Sequence, residues 1–218
     1  MKNKLKLNER KTEVLLLGPP SKRESVPVDS LLVGEASIPF SSVVKTLGVT
    51  LDAALSSDQH VSAVVRSCFF HVRSLSKVRS YLTREAASST SVSLILSKLG
   101  YCNSLRAGLL PTQIKLLQAF QNAAARTGTK CEKTDHITPI LRQLHWLPVH
   151  DHIHHKVLSA TYLLVYGNAP LYLSEVLRIY TLYRRFRSAS RYLLDVPRPR
   201  YSKTKQYGQR AFWCVALP

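Results

Sequence analysis

Acidic side chains are scarce in this chain. Only 13 Asp and Glu stand against 31 Lys and Arg, a formal net charge of +18 over 218 residues. The six aspartates are scattered at 29, 52, 58, 135, 151 and 195. None forms the DD or DxD pair on which two-metal phosphoryl transfer depends. No Walker loop, GxGxxG, HExxH or GxSxG occurs, so the sequence offers no self-sufficient active site. The four cysteines (Cys68, Cys102, Cys131 and Cys214) lie far apart without a CxxC pair, and they read as reduced thiols. No apolar run reaches the roughly 20 residues of a membrane span, and "MKNKLKLNERK" lacks an apolar signal core. The expectation is an intracellular protein, nuclear or cytoplasmic and not secreted.

What is present is positive charge on a globular composition, with 45% hydrophobic residues. Such an excess attracts polyanions, with counterion release from phosphates as the main driving term. An anionic membrane would call for an amphipathic helix with a basic face. Nucleic acid is the favoured partner, and no membrane partner is expected; protein partners are not indicated.

The pattern is α+β and mostly α: a small N-terminal antiparallel sheet, then a helical bundle and a basic tail. Four segments are expected, at 1–55, 56–130, 131–177 and 178–218. Thr12–Leu17, closed by "GPPS", reads as a buried strand. Leu31–Val33 and Ala36–Ile38 flank Gly34-Glu35, which suits a two-residue hairpin. Val43–Leu51 is β-branched with one glycine, which marks a bulge or a close approach.

From Ser56 the apolar period becomes helical. Positions 61, 64, 65, 68, 72, 75, 78 and 82 share one face, and Arg66, Arg73 and Lys77 fall opposite. These three are either a solvated face or a phosphate-tracking stripe. Thr83 suits an N-cap, with Val92, Ile95, Leu96 and Leu99 as the core face of the helix that follows. Pro111 opens the next helix, with Ile114, Leu117, Phe120 and Ala124 inward and Gly128 at C′. In "HITPIL", Thr138 precedes Pro139 as a cap.

"LHWLPVHDHIHHKVL" (Leu144–Leu158) carries five histidines. Pro148 ends a short helix holding Leu144 and Trp146, and Gly167 ends the next, whose stripe is Val149, Ile153, Val157, Ala160 and Leu164. His150 and His154, one turn apart, have zinc-clamp spacing but no third ligand, so surface histidines are the favoured reading and no metal site is expected. The tail from Arg178 to Arg210 has ten Arg or Lys, among them Arg184, Arg185 and Arg187, interleaved with five tyrosines. Basic residues with aromatics suit a nucleic-acid backbone with stacked bases; a plain basic tail is the alternative.

Read in order, "LKLNERKTEVLLLG", "VVKTLGVTLD", "YCNSL", "LQAFQNAAAR", "HITPILRQLHWLPV" and "YGQRAF" resemble the C-terminal half of the reverse transcriptase of LINE-type, non-LTR retrotransposons. The resemblance covers essentially the whole chain. It implies the end of a polymerase palm over 1–55, thumb-like helices from about 56, and a helix–break–helix joint at "LHWLPV". Lys11 would match the lysine proposed to protonate leaving pyrophosphate. Leu47, Gly48 and Val49 would match the hairpin that grips the primer end. Arg66, Arg73 and Lys77 would track a template–primer duplex. The family's Tyr-x-Asp-Asp motif, and with it the Mg²⁺ ligands, does not occur in this chain. Gly100 in "SKLGYCNSL" stands where the family suggests an acidic residue. The resemblance therefore implies a truncated RNA-directed DNA polymerase, inactive alone and without a cofactor, that binds RNA–DNA hybrid, duplex or RNA. A non-enzymatic binding module and a translated relic without a role are the alternatives.

Overall fold

The computed structural model describes residues 8–132 and 134–167. The chain divides after His60 into two compact units.

In the first unit a 3-10 turn at Glu9–Lys11 leads into β1 (Val14–Leu15), a shorter strand than the apolar run suggests. Helix α1 (Pro20–Arg23) begins with proline at its first position, where the missing N–H has no intrahelical acceptor to lose. Strands β2 (Ser30–Val33) and β3 (Ala36–Ser41) form the expected hairpin about Gly34-Glu35, with Val33 opposite Ala36. Gly34 takes φ +65°, a conformation that favours glycine, whereas the nearest neighbour of a Cβ there, Glu9 Oε1 at 2.9 Å, is the end of a flexible exposed side chain that could move aside. β3 also pairs with β1, and that pairing is parallel, with Val14 opposite Phe40. The three-stranded sheet is thus mixed rather than purely antiparallel.

Val43–Leu51 is not one bulged strand. It is a second hairpin, β4 (Val43–Thr46) and β5 (Val49–Asp52), paired Thr46 to Val49. Leu47 (φ 46°) and Gly48 (φ 80°) form the turn, and positive φ at both central residues is what a tight hairpin's twist demands. A bulky leucine rarely takes that conformation, which hides the turn from a residue-preference reading.

The second unit is helical. Helix α2 (Asp58–Val78) buries Val61, Cys68, Val72 and Leu75, while Val78 of the expected stripe is exposed. Its last turn tightens to 3-10 at Arg79–Tyr81. Thr83 then caps α3 (Arg84–Ser91) through Oγ1, which accepts the Ala86 N–H at 3.2 Å. The backbone runs on through a π segment at Val92–Leu96 into α4 (Ser97–Gly100). Ala87, Ser91, Ile95 and Leu99 are all buried. A spacing of four drifts about 40° per step round a straight α-helix, and the wider π turn absorbs that drift. It also turns Val92, expected inside, out to solvent.

Helix α5 (Pro111–Thr129) is the hub, packing against α3, α6 (Ile137–Gln143) and α7 (Val149–Val165). Leu117, Phe120 and Ala124 have no exposed surface, and Ile114 packs beside them. Gly128 is not a C′ residue. It lies inside α5, facing Ser91, whose Oγ would be 3.2 Å from a Cβ, and Lys130 (φ 59°) takes the left-handed position. Glycine here serves helix approach. Ser91 Oγ is buried with no hydrogen-bond partner. Ser91→Ala is therefore expected to stabilise the protein by about 1 kcal/mol, since it deletes an unpaired hydroxyl and improves helix propensity. A urea midpoint shifted downward would contradict this.

Thr138 is not a cap either; α6 starts at Ile137 with His136 at its N-cap, so Thr138 and Pro139 lie in the first turn. α6 ends before Leu144. His145 (φ 56°) is left-handed, Trp146 N–H donates to Leu141 O at 2.9 Å and His145 N–H to Arg142 O at 3.0 Å. That is a Schellman motif, and the accompanying hydrophobic contact is supplied by buried Trp146 and Leu141. Pro148 is the N-cap of α7. "LHWLPV" is a helix–break–helix joint, but the short helix does not hold Leu144 and Trp146: it ends at Gln143, both residues lie in the break, and Pro148 opens α7 rather than ending α6.

α5 fastens this joint. Gln118 Oε1 accepts the Val149 N–H, and Gln121 Nε2 donates to Leu147 O, both at 2.8 Å. "LQAFQNAAAR" and "LHWLPV" are the two sides of one contact. The α7 stripe holds at Val149, Ile153 and Val157; beyond them Thr161 is the buried residue and Ala160 and Leu164 are half-buried, and Gly167 (φ 75°) follows the helix end. No helix among the described residues is long and apolar enough to cross a membrane.

Candidate nucleic-acid interface

Successive residues of α2 step about 100° round its axis, so Arg66, Arg73 and Lys77 fall within about 40° of one another. They face away from the buried stripe, all three are exposed, and none makes an ion pair with another described residue. In a chain so poor in carboxylates this face has no counter-charge among the described residues. Phe70, 66% exposed, stands between Arg66 and Arg73 on the same face. The spacing Arg66–Phe70–Arg73–Lys77 places an aromatic inside a basic row, a composition that can hold a phosphate backbone and contact a base or sugar. Periodicity alone carried that signal, since 66, 70, 73 and 77 are one helical row.

The flank of the row could not be read from the sequence. Lys98 Nζ, from α4, lies 2.6 Å from Ser67 Oγ and 3.0 Å from His71 Nε2. Behind it Arg106, 3% exposed, donates to Leu99 O at 2.6 Å and Lys98 O at 3.1 Å, capping α4. Burial pulls the Arg106 guanidinium below its ordinary value, yet arginine remains charged. Burial also pushes the Cys68 thiol up to about 11, against the pull of Lys98 and Arg106, so Cys68 is a neutral core thiol.

The histidines separate by environment. His150 and His154 are exposed with ring centroids 4.3 Å apart, and His150 Nδ1 lies 3.3 Å from Asp151 Oδ1, so Asp151 does reach a histidine. His152 is half-buried, near Gly100, and burial followed by His155, Arg106 and Lys156 lowers its pKa, which keeps it neutral at pH 7. Among the described residues no group of three or more His, Cys, Asp or Glu is arranged to hold a metal.

The palm positions suggested by polymerase resemblance lie in the first unit. Lys11 is exposed in its 3-10 turn. Leu47, 86% exposed, and Gly48 form the tip of the second hairpin, whereas Val49 is buried. Asp52, close to that hairpin, gives one oxygen to Ser56 N–H at 2.7 Å and the other to Ser56 Oγ–H at 2.6 Å. Its carboxylate organises the turn before α2. The residues present do not fit the Mg²⁺ site of a polymerase. Arg184, Arg185 and Arg187, and the tail tyrosines, lie outside the described residues.

Comparison of the chain with protein-family models, with curated proteins and with solved structures found no match.

Proposed function

We propose that this chain is a non-catalytic nucleic-acid-binding module derived from the post-palm part of a LINE-type reverse transcriptase, with α2 as its contact face. The observation that carries the reading is the exposed row Arg66, Arg73 and Lys77, without an ion pair among the described residues and laid along one side of a 21-residue helix. A rod of fixed charges anchored by a packed core suits a regular array of phosphates. Such contacts position the protein on a backbone without reading sequence. The preferred ligand is an RNA–DNA hybrid or duplex, in an intracellular setting, and no metal or other cofactor takes part.

Two assays test it. Duplex is expected to bind more tightly than single strands of equal length at equal salt; equal affinity would contradict the reading. Primer extension with Mg²⁺ or Mn²⁺ is expected to be absent, because the sequence has no paired aspartates to hold the ions. Template-dependent incorporation that disappears in Lys11→Ala would overturn it.

A second reading, a translated relic with no role, is favoured by one observation. Edge strand β2 exposes Leu31 and Leu32, a pairing and aggregation hazard that a selected protein usually blunts. Limited proteolysis separates the two, since a working module should leave a resistant core from about residue 56 to 165.

A further inference from the structure

Resting on the reading of α2 as a nucleic-acid face, we propose that Ser67, His71 and Lys98 form a further phosphate site, taking a backbone phosphodiester beside the Arg66–Lys77 row. Ser67 and His71 stand about 100° and 140° round the helix from Arg66, between the basic row and the core. Lys98 reaches them from a second helix, with Nζ 2.6 Å from Ser67 Oγ and 3.0 Å from His71 Nε2. The ammonium carries three donors, and these two neighbours leave the third free. Ser67 Oγ accepts from Lys98, so its own hydrogen is free to donate outward. A cation and a hydroxyl thus converge on one point, with an imidazole against the ammonium.

The surroundings favour an anion. Lys98 makes no ion pair with another described residue. The carbonyls of Lys98 and Leu99, the negative end of α4, would repel a phosphate if left open. Arg106 covers both, and so turns that helix end from repulsive to positive. A site on the flank would hold a second point on the ligand and fix its rotation about α2, which a single row of charges cannot do.

The test is RNA–DNA duplex binding across a salt series by the full chain, its Lys98→Met and Ser67→Ala variants, and the wild type with added inorganic phosphate. Methionine keeps the stem, and Arg106 bonds only main-chain atoms of residue 98, so far-UV circular dichroism should not change. Lys98→Met is expected to weaken binding about 3–10-fold near 0.15 M salt and to reduce the slope of log K against log salt by about one. Ser67→Ala should weaken binding less and leave the slope intact. Wild-type binding with an unchanged slope in Lys98→Met would overturn the site alone. Absence of duplex binding would overturn the α2 reading and the site with it. Competition by millimolar phosphate that is lost in Lys98→Met would make this a free-phosphate pocket and overturn the phosphodiester assignment.

Discussion

Arg79→Ala is expected to destabilise the protein by about 3–5 kcal/mol, the largest effect of any single substitution considered. Arg79 follows α2 and is 8% exposed. Its Nε donates to Thr127 O at 2.9 Å and Gly128 O at 3.2 Å, its Nη2 to Gly128 O at 2.8 Å and its Nη1 to Leu82 O at 2.9 Å. Among the described residues no carboxylate pairs with this buried charge; the carbonyl end of α5 offsets it, through the negative pole of its dipole. Arg106 is held in the same way at the end of α4. A chain with so few acids uses helix ends as counter-charges. Alanine would leave three carbonyls without donors and open a void. Arg79→Lys, with its compact head, should recover less than half of the loss because it cannot reproduce the fork. Urea unfolding at constant m-value measures both; a change under 1 kcal/mol for alanine would contradict the account.

The second large effect concerns binding and leaves the fold alone. Arg66→Glu with Arg73→Glu is expected to weaken duplex binding at least 100-fold near 0.15 M salt, with a shallower salt dependence, because each reversal removes a counterion-releasing contact and adds repulsion. Both side chains are exposed and make no ion pair among the described residues, so stability should move by no more than about 0.5 kcal/mol. Reversal at Lys22 and Arg10, exposed cations of the first unit, is the control and should have a much smaller effect. Equal losses from the two pairs would mean that net charge, rather than the α2 row, drives association.

Much of this architecture was legible from period and turn chemistry. The α2 stripe, the Gly34-Glu35 hairpin, the Thr83 cap and the "LHWLPV" break each rest on a local rule that the tertiary structure left in force. Leu47, Lys130 and His145 take left-handed conformations that their residue types disfavour, so the ends of α5 and α6 carry no glycine signal, and of the second hairpin's two central residues only Gly48 does. Gly128 was read as a stop because its use, close approach to Ser91, lies in another helix. Gln118, half-buried, and Gln121, buried, break the apolar pattern on α5, and only the bound joint explains why these amides belong there. The proposed binding face is half legible. Arg66, Arg73 and Lys77 share a helix and a period, while Lys98 joins them only once α4 is packed beside α2.

The most direct test of the central claim is wild-type binding to an RNA–DNA primer–template across a salt series, with single-stranded RNA and heparin as competitors. The account predicts binding that survives near-physiological salt and that prefers duplex over single strand at equal charge. Binding displaced equally well by heparin at matched charge, with no duplex preference, would contradict it and leave only a positively charged chain.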